Sequence, residues 1–182
     1  EDYRGRYLSL AGRSEVPTFV LGGLSKTLAL PQMKLSWISV SGPQGFVDEC
    51  LPRLEIICDT YLSVNTPSQN AAAVWLPQAE SIQRQVRERV AANYALLRTG
   101  MERSGCGQVL PLEGGWYAVM SIPKLQDGED FALRLLQEKH AFLHPGYFFD
   151  FEEEGFLVVS LLPVPAVFNA GVDRLIAALK EL

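Results

Sequence analysis

The sequence predicts an α/β chain that closes in a small α+β domain. Three observations predict it. Short apolar runs end in Gly22-Gly23 and in Ser41-Gly42-Pro43, as short buried strands do. One long stretch, from about Gln78 to Arg103, repeats its apolar residues at helical spacing. Beyond Gly105 and Gly107 the period changes, and strand-like and helix-like segments alternate to the end.

Residues 1–17 are polar and mixed and suggest no element. Phe19 to Leu21 reads as a buried strand, and the Gly pair after it lets backbone approach a ligand closely. Leu35 to Val40 is a second strand. From Gln44 to about Ala73 the pattern is helical, with Phe46, Cys50, Leu54, Ile57 and Tyr61 in phase and interruptions expected at Pro52 and Pro67. Asn65-Thr66-Pro67 is a break and a cap, and a short helix follows through Ala71-Ala72-Ala73.

In the long helix, Ile82, Val86, Val90, Tyr94, Leu97 and Met101 form one stripe. Arg84, Arg87, Glu88 and Arg98 line the other face, which reads as solvated surface. Gly115 to Ile122 is a strand with Trp116, Ala118, Met120 and Ile122 on one side. Asp127-Gly128 opens a helix holding Phe131, Leu135 and Leu136. Ala141 to Leu143 is expected as a short strand, Pro145-Gly146 as a turn, and Phe156 to Leu162 as a strongly apolar strand. A last helix starts near Pro165 and buries Phe168, Val172, Leu175, Ile176 and Leu179.

The bulk composition narrows the function classes. A net charge of −5 argues against a nucleic-acid surface, which needs clustered cations. The 48% hydrophobic and 20% charged content is that of a soluble globular protein. Cys50, Cys58 and Cys106 are odd in number and lack framework spacing, so they read as reduced thiols in a cytoplasmic protein. No apolar run approaches the roughly 20 residues that span a bilayer, and no signal peptide is recognisable. His140 and His144 have no Cys or acidic partners at ligand spacing, so no metal site is expected. Asp150 and Glu152-Glu153-Glu154 read as a solvated turn rather than paired catalytic carboxylates. The chain begins at Glu1 rather than a methionine, and a truncated start is expected.

The chemistry-bearing stretch is Val20-Leu21-Gly22-Gly23-Leu24-Ser25-Lys26-Thr27, followed by Leu30-Pro31-Gln32-Met33-Lys34-Leu35-Ser36-Trp37. Taken alone, Lys26 would be a surface lysine after a turn. Further on come Glu113-Gly114-Gly115-Trp116-Tyr117, then His144-Pro145-Gly146-Tyr147-Phe148-Phe149, then Gly155 to Leu162. The whole series, in this order and around a long helix, resembles the C-terminal half of the class I/II (fold type I) pyridoxal-phosphate-dependent aminotransferases. The resemblance covers residues 18–182.

That resemblance implies a C-terminal part of the pyridoxal-phosphate-dependent transferase fold, lacking most of the large cofactor domain. Residues 1–77 would be a remnant of that domain, 78–104 the linking helix, and 105–182 the small C-terminal α+β domain. Lys26 would be the catalytic residue and hold pyridoxal 5'-phosphate as a Schiff base. Lys34 takes the place of a phosphate-binding arginine, as a point charge rather than a fork. Ser25 and Gly23 lie beside the phosphate-contacting loop. Gly23 stands where many members have a serine, so a backbone N–H would replace that hydroxyl. Pro145, Gly146 and Tyr147 match a loop lining the substrate pocket. Val158 falls where the family has the arginine that clamps the substrate's carboxylate. Arg174, in the terminal helix, is a poor replacement.

The family's other cofactor contacts are an aspartate, a tyrosine, an asparagine and a stacking aromatic. They lie further upstream of the lysine than the 25 residues that precede Lys26 here. The isolated chain is therefore expected not to transaminate, and to expose an apolar face where the rest of the large domain would pack. The whole protein is expected to be a homodimer acting on an amino donor and an oxo acid, with no nucleic-acid or membrane partner. Two alternatives share the fold: a pyridoxal-phosphate-dependent lyase or decarboxylase, and the effector domain of a transcription regulator.

Overall fold

A computed structural model of the chain describes residues 9–123 and 125–182. They form two compact units, Glu1–Gln83 and Arg84–Leu182.

In the first unit, β1 (Thr18–Gly23) leads directly into α1 (Leu24–Thr27), a single turn. A 3-10 turn over Pro31–Met33 then feeds β2 (Ser36–Ser41). The two strands pair antiparallel, with Phe19 opposite Val40 and Gly23 opposite Ser36. Leu24 and Leu28 are this unit's buried apolar side chains among the described residues, and they pin the connection between the strands. Helix α2 (Gln44–Asp59) follows, then α3 (Thr66–Trp75). The Asn65 side chain caps α3 by accepting from the Ser68 N–H at 2.9 Å, and Pro67 sits in its first turn, where no N–H is needed.

Pro52 does not interrupt α2, contrary to the sequence expectation. Proline removes one intrahelical bond, and Pro52 is exposed, so water can serve the carbonyl left over. Much apolar surface of this unit faces outward: Leu21 is 76% exposed, Ile56 66%, Tyr61 76% and Leu62 fully. A hairpin and three helices with so small a core depend on burial elsewhere, since isolated two-stranded sheets are marginal in water.

Helix α4 (Ala79–Ser104) begins in the first unit and runs into the second. Its apolar stripe is buried at Leu97 and Met101. Gly105, with φ 68°, ends it, and its N–H returns to the Met101 carbonyl.

The second unit is an antiparallel sheet in the order β3 (Gln108–Val109), β4 (Tyr117–Ser121), β6 (Phe156–Ser160), β5 (His144–Pro145), with α5 (Gly128–Lys139) and α6 (Pro165–Leu179). Ala118, Met120, Leu157 and Leu161 join Leu97 and Met101, Phe131 and Leu135, and Phe168, Val172 and Leu175 in one core. Asp127 caps α5 through the Asp130 N–H at 2.8 Å.

Two local expectations shift here. The strand expected at Ala141 to Leu143 is replaced by a two-residue ladder at His144–Pro145, where the chain meets Val158 and Leu157 of β6. Local apolarity marked the buried Leu143, but pairing with β6 decides where the ladder falls. The pair Gln108–Val109 is too short to leave a periodic signal and is visible only through its pairing with Ser121 and Met120.

Candidate active site

The connection between β1 and β2 gathers Gly23, Ser25, Lys26 and Lys34. Gly23 is extended and closes the hairpin opposite Ser36. Ser25 and Lys26 lie on the single turn of α1, with Ser25 half-buried and Lys26 exposed. Lys34 follows the 3-10 turn in the left-handed region, φ 51°, as does Ala29 at φ 54°. Non-glycine residues held there are uncommon and concentrate at functional sites.

The connection is fastened at both ends. The Leu24 N–H donates to the Leu35 carbonyl at 3.0 Å, and the Leu28 and Leu30 N–H groups donate to the Leu24 carbonyl at 3.0 and 3.1 Å. Side chains from later in the sequence hold the backbone beside each lysine. Gln83 Nε2 donates to the Thr27 carbonyl at 3.1 Å, next to Lys26. Ser68 Oγ and Asn65 Nδ2 donate to the Met33 carbonyl, next to Lys34, at 3.1 and 3.4 Å. Ser68 is buried, with 3% of its surface exposed. Sequence reasoning missed these bracing bonds. Asn65 was recognisable as a cap, but its second bond and those of Ser68 and Gln83 span 32, 35 and 56 residues and leave no local pattern.

Close approach fixes the glycines. A Cβ on Gly22 would lie 2.3 Å from Trp37 Nε1, so the indole covers that backbone. A Cβ on Gly23 would come within 3.2 Å of Ser36 Cβ. The donor set suits pyridoxal 5'-phosphate: a primary amine for the aldehyde, and a second ammonium, a hydroxyl and backbone N–H groups for the phosphate.

In the second unit, Pro145 and Gly146 are buried and Tyr147 is half-exposed. Gly146 opens a 3-10 turn (Gly146–Phe149) pressed on β6, where its Cβ would stand 2.8 Å from Phe156 Cβ. The Tyr147 phenol is raised above its ordinary value, by desolvation first and then by hydrogen bonding to, and the negative charge of, Glu129. A concave, mostly apolar space of about 800 Å³ lies against α6 and the edge of the sheet, and is lined in part by Tyr117, Phe142, His144 and Ser160. Pro145 to Tyr147 are not in its lining. Val158 is 1% exposed and sits between Val119 and His144 in the sheet. The Arg174 guanidinium donates to the His140 carbonyl at 3.1 Å.

Among the described residues, no group of three or more His, Cys, Asp or Glu could hold a metal ion, and no helix is long and apolar enough to cross a membrane.

The sequence profile of the family described as aminotransferase class I and II matches residues 2–179. No curated protein matches the chain. Solved structures do. An alanine aminotransferase from Pyrococcus furiosus superposes with a TM-score of 0.79 at 20% identity, over 93% of this chain and 44% of that one. A tyrosine aminotransferase from Leishmania infantum gives 0.76 at 22%, over 93% and 42%. An aspartate aminotransferase from Thermotoga maritima gives 0.72 at 20%, over 93% and 42%. The chain thus spans less than half the length of these relatives.

Proposed function

This chain belongs to the class I and II aminotransferase family, whose cofactor is pyridoxal 5'-phosphate, and from that premise we propose that Lys26 is the residue that carries the cofactor. The observation behind this is the placement of Lys26 on the single turn that ends β1, braced through Thr27 and followed by Lys34 on the braced return to β2.

In the whole protein, the reaction is transfer of an amino group between an amino acid and a 2-oxo acid. The bound cofactor supplies an aldehyde that exchanges amines and a ring that withdraws electrons. This chain's residues do the rest. Lys26 would hold the cofactor through Nζ, and as a free amine would move a proton at the substrate's α-carbon. Lys34, Ser25 and the backbone at Gly23 would hold the phosphate. Pro145, Gly146 and Tyr147 are assigned to the substrate pocket on the family resemblance.

Residues 1–182 alone are inactive in this reading, because the chain covers only 44% of the alanine aminotransferase and 42% of the tyrosine aminotransferase. The active protein is a homodimer of the longer chain. The test is half-transamination in that longer protein: an amino acid should convert the bound cofactor to its amine form, and Lys26→Ala should abolish the conversion. Conversion unchanged in Lys26→Ala would sink the assignment.

Val158 favours a second reading. A buried valine cannot hold a carboxylate, so a lyase or decarboxylase, or a regulator's effector domain, would fit a site without a carboxylate clamp. Release of carbon dioxide instead of an oxo acid would favour the decarboxylase.

A further inference from the structure

The backbone at Lys34 is fixed from outside its own turn. Lys34 leaves the Pro31–Met33 turn at φ 51° and ψ 43°, in the left-handed region. A residue with a Cβ stays in that region only where its surroundings hold it. Here the hold is on the Met33 carbonyl, which accepts from Ser68 Oγ at 3.1 Å and from Asn65 Nδ2 at 3.4 Å. That carbonyl and the Lys34 N–H belong to one planar peptide, so fixing the first fixes the plane from which Lys34 turns.

Ser68 is anchored in its own right. It is 3% exposed, and its N–H donates to Asn65 Oδ1 at 2.9 Å in the cap of α3. The Asn65 amide thus accepts from α3 with its oxygen and donates to the turn with its nitrogen. Gln69 Nε2 donates to the Val64 carbonyl at 2.7 Å and steadies the approach to the cap. The Lys34 side chain is the opposite case: it is exposed, and its ammonium has no carboxylate partner among the described residues. A locked backbone under an unpaired cation is what a preorganised anion contact requires, since the backbone is ordered before the anion arrives.

We propose that Ser68 is a positioning residue for the cofactor's phosphate, its hydroxyl holding the Met33–Lys34 peptide so that the Lys34 ammonium is presented to the anion. The inference rests on the reading of Lys34 as a phosphate-binding cation. Ser68 acts through Lys34 and touches no ligand itself.

The probes are pyridoxal 5'-phosphate and pyridoxal, which share the aldehyde and the ring and differ in the phosphate. Their affinities for the whole protein, freed of cofactor, give a phosphate preference as a ratio. Ser68→Ala should lower that preference about fivefold and leave pyridoxal within about twofold of wild type. Ser68→Thr keeps the hydroxyl and should restore most of the preference. Ser68→Cys keeps the volume with a far weaker donor, and gives the same reading if the alanine variant does not fold. Lys34→Ala should also lower the preference, and adding Ser68→Ala to it should change nothing more, because no cation is left to position. A loss that falls equally on both probes, or the same effect of Ser68→Ala with and without Lys34, would make Ser68 a structural brace alone and overturn the proposal.

The same set separates the two levels of inference. If Lys34→Ala lowers the preference and Ser68→Ala does not, the Ser68 assignment falls and the reading of Lys34 stands. If Lys34→Ala leaves the preference unchanged, the reading of Lys34 falls and the Ser68 assignment falls with it.

Discussion

The indole of Trp37 covers the backbone of Gly22, directly across the hairpin from it, so closely that a methyl group on Gly22 would lie 2.3 Å from Nε1. The turn that carries Lys26 begins two residues later, at Leu24. Gly22→Ala must therefore push the indole aside and loosen the strand end that sets up α1. Overpacking of this kind costs about 1–3 kcal/mol. A red shift of Trp37 emission and weaker cofactor retention are expected. The emission change can be isolated by replacing Trp75 and Trp116 with phenylalanine.

Asn93 is 1% exposed on α4, and its amide donates to the carbonyls of Leu161 and Pro163 at 2.9 Å each. It ties the helix to the chain between β6 and α6. Asn93→Ala leaves two carbonyls without this donor, and a loss of about 1–3 kcal/mol is expected. Urea unfolding should show a lower midpoint with an unchanged slope. A variant as stable as wild type would mean that water replaces the amide at no cost.

Gly146 also approaches its neighbour closely, with 2.8 Å between its added Cβ and that of Phe156 in β6. Gly146→Ala should displace the Gly146–Phe149 turn, because the opposing atom is next to the backbone and cannot swing away. If this turn shapes the substrate side, KM for amino donors should rise several-fold while cofactor capture by Lys26 is kept.

Tyr147 gives a pH prediction. Desolvation and the neighbouring Glu129 both favour the protonated phenol, so its pKa is raised above 10.0. A raised folded value means that the native state holds the proton longer than the unfolded chain. The stabilisation is fully present below the ordinary tyrosine range and is lost as pH rises through the folded value. Ultraviolet titration should show one phenol ionising late, and Glu129→Gln should bring it down. A Tyr147 that titrates alike in both would show that Glu129 has no part in it.

How much of this was legible in the sequence depends on the range of the forces involved. The α4 stripe from Ile82 to Met101, the alternation of Ala118 and Met120, and the caps at Asn65 and Asp127 are local, and they read directly. The expectation for Lys26, Ser25 and Gly23 rests on the order of a whole series of motifs, and no short-range physics singles these residues out. Pro52 misled because its local penalty is real but affordable at an exposed helix position. The bracing of Thr27 by Gln83 and of Met33 by Ser68 could not be read, since hydrogen bonds across 56 and 35 residues leave no periodicity. Nor could the burial of His144 Nδ1, which follows from where β5 meets β6.

The central claim is that Lys26 carries the cofactor, and covalent labelling tests it most directly. The whole protein is loaded with pyridoxal 5'-phosphate, reduced with borohydride, digested and sequenced by mass spectrometry. The account predicts a stable pyridoxyl group on Lys26, and none on Lys34. A pyridoxyl group on another lysine, or a loaded protein that takes no label, would contradict it.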